Sequence, residues 1–298
     1  MAAESVTEVA ARLSTASVAK LTTVVARKQN GVQVAMRGES DLVLATERLH
    51  LLFSAASDIG LVRTVNEDSF LAASPVYLVA DGMGGHARGE VASQTVVRVF
   101  DEHIERDLPS TPERILDAIH SSNDAVHDLS TAEDYGSAVA GTTLAGVAIV
   151  DAGEGTGLCW MAFNIGDSRI YTWDGQTLRQ LSVDHSAAQA MIDAGLLRAE
   201  DAETWPERNV ITRAVGLDDH ADADVWLIPI DTSQTFLICS DGLSNELASD
   251  EMARIFAASD PDGNVAETLV AAALARRGRD NITAIVVESH SASVEVLA

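Results

Sequence analysis

Short apolar runs, separated by segments rich in Gly, Asp and Asn, dominate the chain from about residue 49 onward. The runs are rich in Val, Ile and Leu, the residues that favour β-strands. They predict strands over residues 50–55, 76–80, 142–150, 158–164, 169–173, 225–230, 235–239 and 282–288. Other segments repeat apolar residues every three or four positions, as amphipathic helices do. These predicted helices cover residues 89–107, 112–129, 186–196 and 264–277.

The order of these elements indicates the fold class. The predicted helices over 89–107 and 112–129 follow each other directly, and a block of strands comes next. A doubly wound parallel sheet would instead alternate strands and helices along the chain. The sequence therefore predicts an α+β layered fold.

The first 48 residues have a different pattern. Apolar residues recur at roughly helical spacing between residues 4 and 28, and residues 29–41 (QNGVQVAMRGESD) have the composition of a turn or linker. We therefore expect a partly helical N-terminal extension over 1–48, a main domain over 49–290 and a C-terminal tail over 291–298. The extension carries no recognisable chemistry, which favours a packing role over a regulatory one.

Composition narrows the class of protein. With 298 residues, of which 47% are hydrophobic, the chain can bury a full core, and with only 4% aromatic residues that core must consist mainly of Ala, Val, Leu and Ile. The formal net charge of −25 opposes binding to nucleic acid or to anionic lipid. We expect neither nucleic acid nor a membrane as a partner.

Three further features bear on where the protein works. No stretch reaches the ~18 apolar residues that a membrane-spanning helix needs. Glu4 and Glu8 stand where a secretory signal peptide would carry basic residues. Cys159 and Cys239 lie inside apolar runs, which indicates small buried side chains rather than a disulfide or a nucleophile. We therefore expect a cytoplasmic protein.

Acidic residues recur in five separated stretches, several of them at the edge of a predicted strand. The stretches are RTVNEDSF (63–70), VADGMGGH (79–86), FNIGDSRIY (163–171), LICSDGLSNE (237–246) and RGRDNITAIVV (277–287). Any one alone is more typical of a turn, because Asp-Gly and Asp-Asn are common turn pairs. Together, and without Cys-rich or His-rich spacing, they predict oxygen ligands for Mg²⁺ or Mn²⁺ rather than a zinc site.

These motifs resemble those of the metal-dependent protein serine/threonine phosphatases, the type 2C or PPM family, in its bacterial branch. The resemblance runs from about Leu51 to about Glu288 and depends on the order of several short motifs, among them SDIGLVRTVNEDSF, GTTLAGVAI, LSVDHS and ITRAVG. It implies a four-layer α-β-β-α sandwich, in which two central antiparallel sheets are flanked by helices and metal ions bind at one end.

The resemblance also implies residue roles. Asp81 would bridge two ions, Mn²⁺ or Mg²⁺, and the Gly82 carbonyl would bind one of them. Arg63 would grip the substrate phosphate, and Asp68 would orient metal-bound water. The remaining ligands would be Asp241 and Asp280 for the first ion, Glu67 for the second, directly or through water, and Asp167 for a weaker third.

Two departures from the family pattern leave questions open. Animal relatives have a His directly after the Asp-Gly pair, but this chain has Met83, so the proton donor to the leaving group could be His86, His185 or a metal-bound water. Bacterial relatives often have an acid where this chain has Asn245. A neutral amide oxygen is a poorer ligand, which predicts a weaker third metal site.

The predicted function is hydrolysis of phosphoserine and phosphothreonine in proteins by a metal-activated water, without a covalent phosphoenzyme. Its expected partners are phosphorylated proteins, among them serine/threonine kinases and their substrates. One alternative is a catalytically silent regulator that binds phosphoproteins, and another is a phosphatase for a regulator of a sigma factor. Residues 184–212 match the position of the family's flap. This segment could contact the protein substrate or be a surface loop without a function, and the sequence favours neither.

A kinase is disfavoured because the chain lacks the required glycine-rich loop with a following lysine.

Overall fold

Two stacked antiparallel sheets form the centre of the computed structural model, which describes residues 24–26, 34–43, 47–84, 88–129, 140–153, 155–260 and 263–293. The strands are β1 (Val24–Ala26), β2 (Val34–Val43), β3 (Glu47–Asp58), β4 (Asp68–Ala73), β5 (Val76–Met83), β6 (Gly141–Thr142), β7 (Leu144–Asp151), β8 (Leu158–Ile165), β9 (Arg169–Trp173), β10 (Leu178–Gln180), β11 (Asp224–Pro229), β12 (Ser233–Cys239) and β13 (Ile282–Ser293). The α-helices are α1 (Arg88–His103), α2 (Pro112–His127), α3 (Ala187–Asp193), α4 (Asp241–Ser244), α5 (Ser249–Ala258) and α6 (Val265–Arg276), and a 3₁₀ helix covers Ala199–Thr204.

The first sheet has the strand order β1-β2-β3-β13-β12-β9-β10, and the second has the order β11-β8-β7-β5-β4, with β6 paired to β5. Helices α1 and α2 pack on the outer face of the second sheet, where Phe100 and Ile115 join Phe163 in one buried cluster. Helices α5 and α6 pack on the first sheet in the same way, with Met252 and Leu269 in one cluster. The predicted four-layer α-β-β-α sandwich is confirmed.

Four large aromatic side chains are buried in the space between the two sheets. Phe53, Tyr77, Trp160 and Phe236 are buried there together with aliphatic residues. The ring centroids of Tyr77 and Trp160 lie 6.5 Å apart, and those of Trp160 and Phe236 lie 5.1 Å apart, distances at which tilted aromatic pairs attract each other. Half of the eight buried aromatic side chains among the described residues therefore lie where the two sheets meet.

Both cysteines are buried and free, which confirms the prediction for these side chains. Cys159 packs in the cluster beneath α1 and α2, and Cys239 packs beneath α5 and α6. Burial raises the pKa of the Cys239 thiol to about 12. Neither cysteine has the surroundings of a reactive nucleophile.

Every strand and helix predicted from residue 50 onward has a counterpart, but the linker predicted over residues 29–41 is wrong from residue 34 onward. Residues 34–43, within the predicted extension and overlapping its predicted linker, form β2, which pairs with β3 over ten residues. β1 also lies inside the segment predicted to be helical, and the sequence does not predict β4, β10, α4, α5 or the 3₁₀ helix. The division of the chain at residues 48 and 290 stays a prediction. Residues 1–23 and 294–298 lie outside the described part of the chain.

Within the described ranges, none of the helices combines the length and the apolar character that crossing a membrane requires.

Candidate active site

The strand pairing brings the predicted acidic residues to one end of the sandwich. Asp68 begins β4 and stands opposite Asp81, near the end of β5, in the antiparallel register. Asp241 follows the end of β12, and Asp280 precedes the start of β13, which is the antiparallel neighbour of β12. Asp167 lies in the turn between β8 and β9. Five acids from distant parts of the sequence therefore lie at the same end of the fold.

Burial and, to a smaller extent, mutual repulsion raise the pKa values of these carboxyl groups. Burial raises the pKa of Asp81 well above its usual range, and the nearby Asp68, Asp241 and Asp167 raise it further. Burial raises the pKa of Asp68 to about 7, against hydrogen bonds from Thr283 and Ser240 that lower it. For Asp167, burial and the charge of Asp241 raise the pKa to about 8. Such a cluster lowers the stability of the folded protein unless protons or cations neutralise the charges.

Asp81 is fixed by its backbone. Its N–H donates to Oγ1 of Thr143 at 2.9 Å, and its carbonyl accepts from the N–H of Thr143 at 2.9 Å and from the hydroxyl of Thr142 at 2.9 Å. Oγ1 of Thr143 also lies 2.7 Å from the hydroxyl oxygen of Ser168, next to Asp167. Two of the acidic positions are therefore linked through buried hydroxyl groups.

Of the two carboxylate oxygens of Asp68, one has a hydrogen-bond partner among the described residues and the other has none. Its Oδ2 accepts a hydrogen bond of 2.8 Å from the hydroxyl of Ser240, which in turn accepts one of 2.9 Å from the N–H of Thr283. Its Oδ1 is buried without a hydrogen-bond partner among the described residues. A buried, unpartnered carboxylate oxygen beside other acids has the chemistry of an acceptor for a water or cation.

Asn281 connects the site in a way that the sequence did not predict. Its side chain is only 3% exposed, its Nδ2 donates to the carbonyls of Ile59 and Val65, each at 3.0 Å, and its Oδ1 accepts from the N–H of Glu67 at 2.8 Å. These three bonds clamp both ends of the loop that carries Arg63 onto the start of β13.

Three of the acidic groups also have polar or charged partners within the site. Nη2 of Arg63 donates to Asp280 at 2.7 Å, and its Nη1 lies 3.9 Å from Glu67. Nδ2 of Asn245 donates to Asp241 at 2.9 Å. Arg63 is half exposed, so its planar fork can face both the acids and the solvent.

Gly82 is required by a close backbone approach. A Cβ atom at this position would lie 2.0 Å from the carbonyl oxygen of Gly89 in α1 and 2.7 Å from the carbonyl oxygen of Glu67. The side chain of Glu67 also lies close to Gly89, since a Cβ at position 89 would be 2.6 Å from Oε1 of Glu67. Glycines at 82 and 89 therefore allow the start of α1, β5 and Glu67 to meet.

His185 has a structural environment. It is 6% exposed, its Nδ1 accepts from the N–H of Gly166 at 3.1 Å, and its Nε2 lies 3.2 Å from Oδ2 of Asp224. Because Nδ1 accepts, the neutral ring carries its proton on Nε2, next to Asp224. The backbone of His185 also accepts from the N–H of Thr212 at 2.8 Å, which ties together the ends of the segment predicted as a flap. His86 lies outside the described residues.

The donor set fits hard divalent cations. The strand-end acids offer carboxylate oxygens, which Mg²⁺ and Mn²⁺ prefer, and neither cysteine lies among them. Among the described residues, no three acidic, His or Cys side chains already converge on one common metal position. Arg63 and Asn245 donate to Asp280 and Asp241, so a cation held by these carboxylates would compete with both donors.

Comparison with known proteins identifies the family. The family model described as protein phosphatase 2C matches residues 62–275. The chain belongs to the protein phosphatase 2C family. It is 33% identical over 249 residues to the serine/threonine phosphatase stp of Listeria monocytogenes, covering 78% of this chain and 93% of that protein. It is 32% identical over 252 residues to the protein phosphatase PhpP of Streptococcus pneumoniae, covering 81% and 99%.

Solved structures of phosphatase 2C relatives have the same fold. The catalytic domain of the serine/threonine protein phosphatase PstP in complex with 2 manganese ions superposes with a TM-score of 0.68 at 30% identity, over 81% of this chain and 99% of that one. Membership in this family makes the chain a metal-dependent serine/threonine protein phosphatase, which acts on phosphorylated proteins.

Proposed function

We propose that this phosphatase hydrolyses phosphoserine and phosphothreonine by direct attack of water, with Mn²⁺ or Mg²⁺ held by the acids at the end of the sandwich and without a covalent phosphoenzyme. The single observation that carries this proposal is the cluster of Asp68, Asp81, Asp167, Asp241 and Asp280, whose charges act on one another at one end of the fold. Five acids are stable together there only if protons or cations compensate them.

The residues that would hold two ions are Asp81, the Gly82 carbonyl, Asp241, Asp280 and Glu67, and Asp167 would hold a weaker third. When bound, such ions lower the pKa of water and neutralise charge that develops on the phosphate. The neutral amide of Asn245, bonded to Asp241, supports a weak third site because it adds no charge there.

Arg63 would bind the phosphate. Its guanidinium is always charged and offers two parallel N–H groups to two phosphate oxygens. The contact with Asp280, at 2.7 Å, orients this fork towards the acids. Asp68 would hold and orient the attacking water, for which its Oδ1 is a free buried acceptor among the described residues.

The substrates would be cytoplasmic phosphoproteins, including serine/threonine kinases and the proteins that they modify. This part of the proposal is supported by the bacterial phosphatases to which the chain is similar. The strongly acidic composition agrees with it, since it disfavours nucleic acid and anionic lipid as targets.

Hydrolysis of a phosphothreonine peptide with Mn²⁺, Mg²⁺ or EDTA tests this proposal, for the wild type and for Asp241→Asn. A matched control is Asp117→Asn, on the exposed face of α2. We expect turnover that needs the metal, falls at least a hundredfold in Asp241→Asn and is unchanged in Asp117→Asn. Turnover that persists in EDTA, or equal turnover in both variants, would contradict it.

A further inference from the structure

Two large apolar side chains next to Arg63 are unusually exposed. Leu61 is 69% exposed and Val62 is 66% exposed, and Val65 on the other side of Arg63 is 37% exposed. Among the large hydrophobic residues that the structure describes, only Leu196 is more exposed than Leu61. The exposure is therefore concentrated beside the residue that would bind phosphate.

The loop that carries these side chains is firmly anchored. The N–H of Leu61 donates to the carbonyl of Gly278 at 2.7 Å, and the N–H of Gly60 donates to Asp58 at 2.8 Å. The Asn281 clamp holds the carbonyls of Ile59 and Val65. The backbone at Gly60 has φ +81°, and a Cβ there would lie 2.1 Å from the carbonyl of Asp280, so the loop cannot shift towards β13.

An anchored loop cannot fold its apolar side chains back into the core, so they stay in contact with water until a partner covers them. Leu61 and Leu274 of α6 both lie beside Gly278, since a Cβ at Gly278 would be 3.2 Å from Cγ of Leu61 and 3.1 Å from Cδ2 of Leu274. The exposed apolar surface next to Arg63 therefore consists of Leu61 and Val62, with the half-buried Leu274 on the other side of Gly278.

We propose that Leu61 and Val62 form a docking surface for an apolar side chain that flanks the phosphorylated residue of the protein substrate. A phosphate bound to Arg63 places the neighbouring residues of its peptide next to this surface. Burying an aliphatic side chain there favours binding, whereas a polar one gains nothing. The inference rests on the proposed function and adds a preference for one class of substrate.

Two phosphothreonine peptides test this, identical except that the residues flanking phosphothreonine are Leu in one and Ser in the other. The enzyme is compared with the double variant Leu61→Ser/Val62→Ser. The matched control is Leu227→Ser, an exposed apolar residue on the edge strand β11. Hydrolysis of para-nitrophenyl phosphate with Mn²⁺ reports the intact reaction centre, because that substrate is too small to need the docking surface.

We expect the wild type and Leu227→Ser to have a kcat/KM roughly fivefold to tenfold higher for the Leu peptide, the size of effect that burial of one or two methylene groups gives. In the double variant the two peptides become equivalent, and para-nitrophenyl phosphate turnover is unchanged. Equal kcat/KM values in the wild type, or a preference that survives in the double variant, would overturn the docking surface while the phosphatase activity stands. A double variant that only changes the oligomeric state would overturn it in favour of a contact between copies. A wild type without metal-dependent turnover of para-nitrophenyl phosphate would overturn the proposed function as well.

Discussion

Asp68 and Asp81 stand opposite each other on the antiparallel strands β4 and β5, at the end of the sandwich where the other acids gather. Carboxylates directly opposite each other on a sheet repel, and burial prevents water from weakening that repulsion. Each of the two has a raised pKa with burial as its main cause. The pair therefore adds no stability through its charges, which agrees with the proposed role of these residues in binding.

Replacement of Asp68 separates its effect on stability from its proposed role in catalysis. Asp68→Asn keeps the shape and an oxygen for the Ser240 hydroxyl but removes a buried charge beside Asp81. We predict a melting temperature of the metal-free protein that is equal to or higher than that of the wild type. Turnover falls about a hundredfold, as expected for loss of a group that orients the attacking water. A variant that is less stable and fully active would contradict both roles.

Loss of the Asn281 clamp should loosen the Arg63 loop. Asn281→Ala leaves the carbonyls of Ile59 and Val65 and the N–H of Glu67 without their partner, at a cost of about 2–3 kcal/mol in the free energy of unfolding. We also expect kcat/KM to fall about tenfold.

The matched control is Asn123→Ala, since Asn123 is also a buried amide, bonded to Gly216 and Asp218 away from the strand-end acids. It should lose stability without losing kcat/KM. Chemical denaturation and peptide kinetics measure both quantities. If Asn123→Ala lowers kcat/KM as much as Asn281→Ala does, the clamp has no specific role.

His185 should act as a positioning residue and not as the proton donor. An Asn side chain places its amide oxygen near the position of Nδ1, so His185→Asn can keep the bond from Gly166. We predict that this variant retains the pH profile of kcat, whereas His185→Gln, whose amide lies farther out, releases the turn that carries Asp167. If His185 were the general acid, either substitution would remove one limb of the pH profile of kcat and lower the rate by about 10²–10⁴-fold. The ¹⁵N chemical shifts of the ring independently report whether Nε2 carries the proton.

Gly82 should not tolerate a side chain. Gly82→Ala places a methyl group 2.0 Å from the carbonyl oxygen of Gly89, which forces β5 and α1 apart. We expect a loss of about 3 kcal/mol in unfolding free energy. Gly175→Ala is the control, since its Cβ meets open space and only its φ of +89° opposes it, at about 1 kcal/mol. Thermal or urea unfolding distinguishes the two, and equal losses would mean that contact with α1 is unimportant.

Local sequence pattern predicted the strands with continuous apolar faces but not β2. Its inward-facing positions include Gly38 and Ser40, which are small or polar, so the alternation of a strand is hidden. The buried Ser40 lies there because β3 and the opposite sheet cover it, which depends on the tertiary structure.

The acidic residues were found because five acidic stretches occur together, several at strand edges, and their order resembles the motifs of the family. The role of Asn281 was not, since its partners Ile59, Val65 and Glu67 lie more than 200 residues earlier in the chain. His185 appeared as a possible proton donor because its residue type suggests chemistry, while its bonds to Gly166 and Asp224 are visible only in the fold. Local sequence pattern gives the type of each side chain, but the partners of these two side chains depend on the fold.

The most direct test of the acidic cluster as a metal centre is calorimetric titration of the metal-free protein with Mn²⁺, comparing the wild type with Asp81→Asn. We predict two tightly bound ions in the wild type, a weaker third, and loss of tight binding in Asp81→Asn, because the Asp81 carboxylate would be among the residues that hold them. Equal stoichiometry and affinity in the two proteins would contradict the assignment of these acids as the metal centre.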